Sequence, residues 1–130
     1  MQGSTVSSEP MFLAMVGGAL KHWSCAPEFF LRSSACLRQA RRMEERLHAE
    51  VGPSNGLLLS YTAWRDPQAM SRFARSGAHR RALQRMPALV AWFEFHRFTA
   101  ETLPSFAEAV RRWRKATGRC ADVSDEWEAA

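Results

Sequence analysis

The chain has 130 residues, 46% of them hydrophobic and 24% charged, with a formal net charge of +5. That is one domain's length, enough to bury a core unaided, with the balance of an ordinary globular protein. No apolar run approaches the roughly 18 residues that span a bilayer, and an odd cysteine count without a CxxC pair makes neither a disulfide framework nor a structural zinc site.

Residues 1–10 read as a loose polar tail without the basic and apolar regions of a signal peptide, so a cytoplasmic protein is expected. Met11 to Trp23 is apolar and β-compatible, and Gly17-Gly18 within it suggests a bulge or a close approach of backbone. Pro27-Glu28 suits the first turn of a helix. Phe30, Leu31, Ala35, Leu37 and Met43, at loosely helical spacing, carry that helix to about Arg46. Leu47 to Val51 reads as a short strand. The turn signal Gly52-Pro53-Ser54-Asn55-Gly56 joins it as a hairpin to the clearest strand, Leu57 to Trp64.

Asp66 can cap the next helix, with Pro67 in its first turn. The helix is expected to run toward Met86, bounded by Pro87, with a kink or short interruption at Ser76-Gly77. Ala91 to Ala100 (AWFEFHRFTA) is an aromatic-rich strand. Leu103-Pro104-Ser105 opens a last helix, Phe106 to Thr117, which Gly118 stops. Residues 119–130 form an acidic tail whose one candidate for docking is Trp127.

The order β-α-β-β-α-β plus a helix, over residues 11–118, gives an α+β class with the ferredoxin-like split βαβ topology. Helices cover one face of such a sheet. The other face, carrying residues such as Trp92, Phe93 or Phe95, needs cover that a second copy could supply, so a homodimer is expected.

Lys21 and Lys115 are the only lysines, and the arginines spread over every expected helix instead of gathering in a run. With no nucleic-acid module motif, neither nucleic acid nor membrane is expected as a partner. A Gly-rich phosphate loop, a GxSxG elbow and a dinucleotide fingerprint are all absent, which removes most nucleotide-dependent and hydrolase chemistry. The histidines show no HxH or HxxxH spacing and no acidic cluster beside them, so no metal site is expected.

One segment carries a resemblance. A strand ends in Trp64 and Asp66, and the helix after it carries Ala69, Met70, Phe73, Ser76, Gly77, His79, Arg80 and Ala82. Downstream stand Leu103, Pro104, Ser105, Phe106, Glu108, Ala109, Arg111 and Arg112. These patterns resemble the dimeric α+β barrel superfamily, specifically an uncharacterised branch of its antibiotic-biosynthesis-monooxygenase-like group, over roughly Met11 to Gly118. The resemblance implies a dimeric barrel. Its members include cofactor-independent oxygenases of aromatic substrates, haem-binding enzymes, isomerases or cyclases of small metabolites, and proteins without known activity.

His79 is the candidate catalytic residue. A neutral imidazole near pH 7 serves as acid or base, or ligates a haem iron. The alternative is a helix-surface or capping histidine beside Arg80-Arg81. Trp64 is either an aromatic wall for a planar substrate or core. Phe73 precedes His79 by six residues, an offset of about 120° on an ideal helix, so it reads as core unless the Ser76-Gly77 break rotates the second half.

Trp92, His96 and His22 are further candidate substrate-binding residues. Trp92, Glu94, His96 and Phe98 share one strand face. Glu94 with His96 is either a pocket acid–base pair or an exposed or interface pair. His48 reads as exposed beside a turn, and Tyr61 as buried beside Leu59.

The sequence therefore points to a cofactor-independent monooxygenase-like or related tailoring enzyme, acting on a planar, largely apolar, aromatic or polyketide-like metabolite with His79 as acid or base. The alternatives are a haem-binding protein with His79 as axial ligand, or a non-catalytic ligand-binding or structural dimer.

Overall fold

In the computed structural model, which describes residues 9–119, burial alternates along the first strand, β1 (Met11–Leu20): Leu13, Met15, Gly17 and Ala19 are buried while Ala14 and Val16 stay half open. Strand β3 (Leu57–Trp64) repeats the pattern, with Leu57, Leu59, Tyr61 and Ala63 buried and Leu58, Ser60 and Thr62 half open. Period-two burial of this kind means that the two faces of the sheet do different things. Cys120, Trp127 and the remainder of the acidic tail lie outside the described residues.

Strands β2 (Arg46–Ser54) and β4 (Val90–Ala100) complete an antiparallel sheet of order β2-β3-β1-β4. This is the ferredoxin-like arrangement that the element order requires. The β2–β3 hairpin closes on Asn55 (φ 49°) and Gly56 (φ 81°). Two consecutive left-handed residues make the two-residue turn that matches strand twist. β2 thus extends beyond the Val51 limit expected for it, to Ser54; Pro53 fits because β2 is an edge strand.

Helices α1 (Ala26–Arg41), α2 (Pro67–Arg75) and α3 (Gly77–Leu89) lie over the half-open face. Asp66 caps α2 through Ala69 N–H at 2.7 Å. α1 stops at Arg41, earlier than the expected Arg46. Pro87 sits inside α3 and does not bound it. Less than a turn of helix remains beyond Pro87, and proline's fixed φ is itself helical. A 3-10 turn at Trp23–Cys25 replaces the last residues expected of β1.

The buried face belongs to α4 (Phe106–Thr117), capped by Ser105 at its start and ended by Gly118 at φ 76°. Ala109, Val110 and Trp113 pack on Leu13, Met15, Leu59 and Tyr61. Trp113 donates its indole N–H to the Glu94 carbonyl at 2.9 Å, and the Tyr61 hydroxyl donates to the Pro104 carbonyl at 2.8 Å. Burial pushes the Tyr61 hydroxyl up to about 12. The face carrying Trp92 is therefore covered by the chain's own helix, with Trp92 and Trp113 stacked at 6.4 Å. Phe93 and Phe95, grouped with Trp92 in the sequence argument for a second copy, point the other way: register pairs them with Gly18 and Val16, and Phe95 is 47% exposed.

Gly17 is the close approach that the sequence suggested. A Cβ there would clash with the Trp113 indole ring at Cζ2. Gly17→Ala should therefore destabilise the fold by about 1–3 kcal/mol, the usual range for an overpacked core. A urea midpoint equal to that of the wild type would contradict the packing of α4 on β1.

Candidate functional site

Between the half-open face and α1–α3 lies a cavity of about 340 Å³. That is within the size range of small-molecule sites. Its floor is Ala14, Val16, Leu58, Ser60 and Thr62; α1 contributes Phe29, Ser33, Cys36 and Leu37; α3 contributes His79, Leu83 and Met86. α1 buries only Ala40 completely, because most of its inward stripe faces a hollow instead of a core. Leu31, expected on that stripe, is 71% exposed.

The approach to His79 is built by a helix break. Ser76 is extended (φ −133°, ψ 162°) and Gly77 is left-handed (φ 58°), so the chain turns between α2 and α3. The rotation overrides the angular offset of a continuous helix. The Phe73 and His79 rings pack at 4.6 Å, and Phe73 packs on Trp64 at 5.0 Å. Phe73, 6% exposed, is at once core and cavity wall.

His79 Nδ1 lies 3.0 Å from the Ala74 carbonyl. A carbonyl oxygen only accepts, so Nδ1 carries the proton and Nε2 is left as the basic nitrogen. Burial, partly offset by the Ala74 carbonyl, holds the ring's pKa below its ordinary value. The imidazole is thus neutral at pH 7, in the form that accepts a proton. Cys36 also lines the cavity, but burial pushes its thiol up to about 11, so it stays a thiol and is a poor nucleophile.

The other expected site residues are dispersed. Trp64 is fully buried but does not line the cavity; it backs Phe73, and its indole N–H has no acceptor among the described residues. Trp92 and His96 lie on the α4 face, opposite the cavity, where register places them beside Ala19 and Met15. Trp92 stacks on Trp113, the Arg119 guanidinium lies over its ring at 4.1 Å, and His96 stacks on Phe98 at 5.1 Å. Glu94 pairs with Arg119, so no Glu94–His96 pair forms. His22 is exposed and caps the 3-10 turn, accepting from Ser24 N–H at 3.2 Å. His48 is half-buried, not exposed, with Nε2 2.6 Å from Glu50 and its ring against Tyr61.

One residue that sequence reasoning missed is Gln39 on α1. Its Oε1 accepts from His79 N–H at 2.8 Å, and its Nε2 donates to the carbonyls of Ser76 at 3.0 Å and Phe73 at 3.2 Å. Nothing in the residue itself or in its spacing marks it. The only hint was Gly77, whose side must stay open: a Cβ there would stand 3.2 Å from the Gln39 carboxamide.

No family model and no curated protein matches the chain. Solved structures do. A conserved protein from Methanosarcina mazei superposes with TM-score 0.64 at 12% identity, over 72% of this chain and 96% of its own. A candidate antibiotic biosynthesis monooxygenase from Nitrosomonas europaea gives 0.61 at 10%, over 67% and 95%. Another from Deinococcus radiodurans gives 0.61 at 14%, over 74% and 97%. At these identities the likeness establishes the fold: an α+β ferredoxin-like domain of the kind found in antibiotic-biosynthesis-monooxygenase-like structures. Among the described residues no helix is long and apolar enough to cross a membrane.

His79 should leave a signature in stability against pH. Its folded pKa lies below the ordinary 6.5, so between the two values the unfolded chain binds the extra proton. This contribution is complete above about 6.5 and is lost as pH falls toward the folded value. Chemical denaturation of wild type and His79→Gln should show the wild type losing more stability as the medium is acidified from about pH 7.5 to about pH 5. Parallel curves would contradict the buried neutral ring.

Proposed function

We propose that the chain is a cofactor-independent monooxygenase-like or related tailoring enzyme that acts on a planar, largely apolar, aromatic or polyketide-like metabolite, with His79 as acid and base. The observation that supports this most is the single imidazole, its tautomer fixed and its Nε2 unprotonated, on the wall of a cavity otherwise lined mainly by apolar side chains. Flat apolar walls from Phe29, Phe73, Leu58 and Met86 suit a fused-ring substrate. Nε2 would take the proton of a phenol or of an acidic ring position. The imidazolium so formed stabilises the substrate anion beside it, and the apolar walls strengthen that attraction. The anion's carbon bonds to one atom of dioxygen, and His79 returns its proton to the distal oxygen to give a hydroperoxide. Loss of the remaining C–H proton then breaks the O–O bond, leaving a carbonyl on the substrate and releasing the second oxygen as water, so that the substrate itself supplies the electrons. The proposed working unit is a homodimer, for which the exposed Phe95 on edge strand β4 is an apolar surface that a second copy would cover. The proposed setting is the cytoplasm and secondary metabolism.

A second reading also has an observation in its favour. A histidine whose Nδ1 donates to a carbonyl while Nε2 carries no proton is poised as a metal ligand, so His79 would be the residue to hold a haem iron. The haem would supply oxygen chemistry, and this chain's part would be to orient that ligand. A ligand-binding role without turnover uses the same cavity.

His79→Ala separates these readings. Under the leading one, turnover should fall on the order of 100-fold or more, the usual worth of a positioned acid–base group, with the circular dichroism spectrum unchanged. Unchanged turnover would remove His79 from the chemistry. A Soret band that the same substitution abolishes would favour haem, and ligand binding without any turnover would favour the non-catalytic role.

A further inference from the structure

We propose that Gln39 is the positioning residue of His79: its carboxamide holds the α2–α3 break in the conformation that sets the Ala74 carbonyl against Nδ1, and so decides which ring nitrogen carries the proton. A helix break leaves backbone groups without their intrahelical partners. In an uninterrupted helix the His79 N–H would bond to the carbonyl four residues back, and the Phe73 carbonyl would accept from the residue four ahead. The extended Ser76 and left-handed Gly77 abolish both bonds. Half-buried backbone groups without partners are costly, so such a break persists only where something else satisfies them.

Gln39 supplies both functions from one side chain. Its oxygen takes the His79 N–H, and its nitrogen serves the Phe73 and Ser76 carbonyls. It therefore binds the last turn of α2 and the first turn of α3 at once, from a third helix. The Ala74 carbonyl lies between those anchored points and is the acceptor that fixes the ring. Gly77 makes room for the carboxamide, since a Cβ would press on it at 3.2 Å. Gln39 does not line the cavity and so acts only through His79. The consequence for turnover rests on the function proposed above; the control of the tautomer does not.

The test is ring-nitrogen NMR of His79 in the full chain, which distinguishes Nδ1–H from Nε2–H directly. Wild type should show the Nδ1–H tautomer alone. Gln39→Leu, which fills similar space without polar atoms, should show a mixture of the two tautomers. Gly77→Ala, which presses on the carboxamide from the other side, should do the same. Gln39→Glu keeps an acceptor for the His79 N–H but cannot donate to the two carbonyls, and should fall between wild type and Gln39→Leu. A purely structural tether would lower the melting temperature of a folded Gln39→Leu protein while leaving Nδ1–H alone, and that result would overturn the proposal. If these variants do not fold, the wild type still tests the proposal: a mixed or Nε2–H tautomer of His79, or Gln39 carboxamide protons that exchange as fast as those of an exposed glutamine, would overturn it, and the Nδ1–H tautomer with exchange at least on the order of tenfold slower would uphold it. A mixed tautomer with undiminished turnover would uphold the positioning role and remove His79 from catalysis; an unchanged tautomer would defeat the positioning role whatever the turnover.

Discussion

Between Arg75 and Gly77 the chain leaves the helix for one residue, and the arrangement of the cavity wall depends on that turn. Carried through without interruption, the helix from Pro67 to Leu89 would hold Phe73 and His79 about 120° apart, one on the core and the other turned away from it. With Ser76 extended and Gly77 left-handed, the two rings pack together at 4.6 Å. The stripe that follows His79 on α3, namely Ala82, Leu83 and Met86, then faces the same hollow. Glycine adopts the left-handed Gly77 conformation without the strain that a Cβ brings, and only an open side at that position admits the Gln39 carboxamide. Geometry and hydrogen bonding thus depend on each other at one point.

A sheet with a hollow on one face keeps only part of its core there: Ala40, Ala49, Trp64, Ala69 and Phe73 pack beside the cavity, and the larger share lies on the other face. There α4 covers it. Trp113, fully buried and lying against the bare backbone of Gly17, anchors that helix over β1 and β3. Because Leu13, Met15, Leu59 and Tyr61 are buried there, the opposite positions Ala14, Val16, Ser60 and Thr62 are free to line a cavity. Around the cavity, closure comes from side-chain links between helices. Glu28 on α1 pairs with Arg85 on α3 at 2.6 Å and with Arg32 at 2.8 Å, and those guanidiniums hold its carboxyl down at about 2. All three side chains are partly exposed, so this link orients the helices more than it stabilises them.

The element order and the ferredoxin-like class were legible in the sequence because their signals are local. Alternation marks β3, Asp66-Pro67 starts α2, and Gly118 ends α4. Asn55-Gly56 belonged to a recognised turn signal, although β2 runs up to it and takes in Pro53. The site was legible only in part. His79 and the Ser76-Gly77 break were visible as a pair, and the sequence even stated the condition under which Phe73 would meet the ring. Alternation put Trp92 and His96 on one strand face, and the strand end and the resemblance singled out Trp64, but neither says which helices cover that face. The face depends on register and on where α4 packs, and both are non-local. Gln39 was invisible because a glutamine on a helix normally meets water; its role exists only once residues 34 to 40 positions away fold against it. α1 misled for a related reason: a helix that lines a hollow tolerates Ser33 and Cys36 where a core helix would carry large apolar residues.

The likeness to antibiotic-biosynthesis-monooxygenase-like structures speaks to architecture, while the chemistry must come from the cavity wall itself. The proposed function requires a planar apolar molecule to lie in that cavity against the His79 ring. The most direct test is to titrate the protein with a fused-ring phenol such as a naphthol and follow side-chain NMR signals. The His79 ring and the methyls of Met70 and Met86 should shift together and saturate, while His96 and Trp92 stay still. Shifts confined to Trp92 and His96, or no saturable shift at His79, would contradict it.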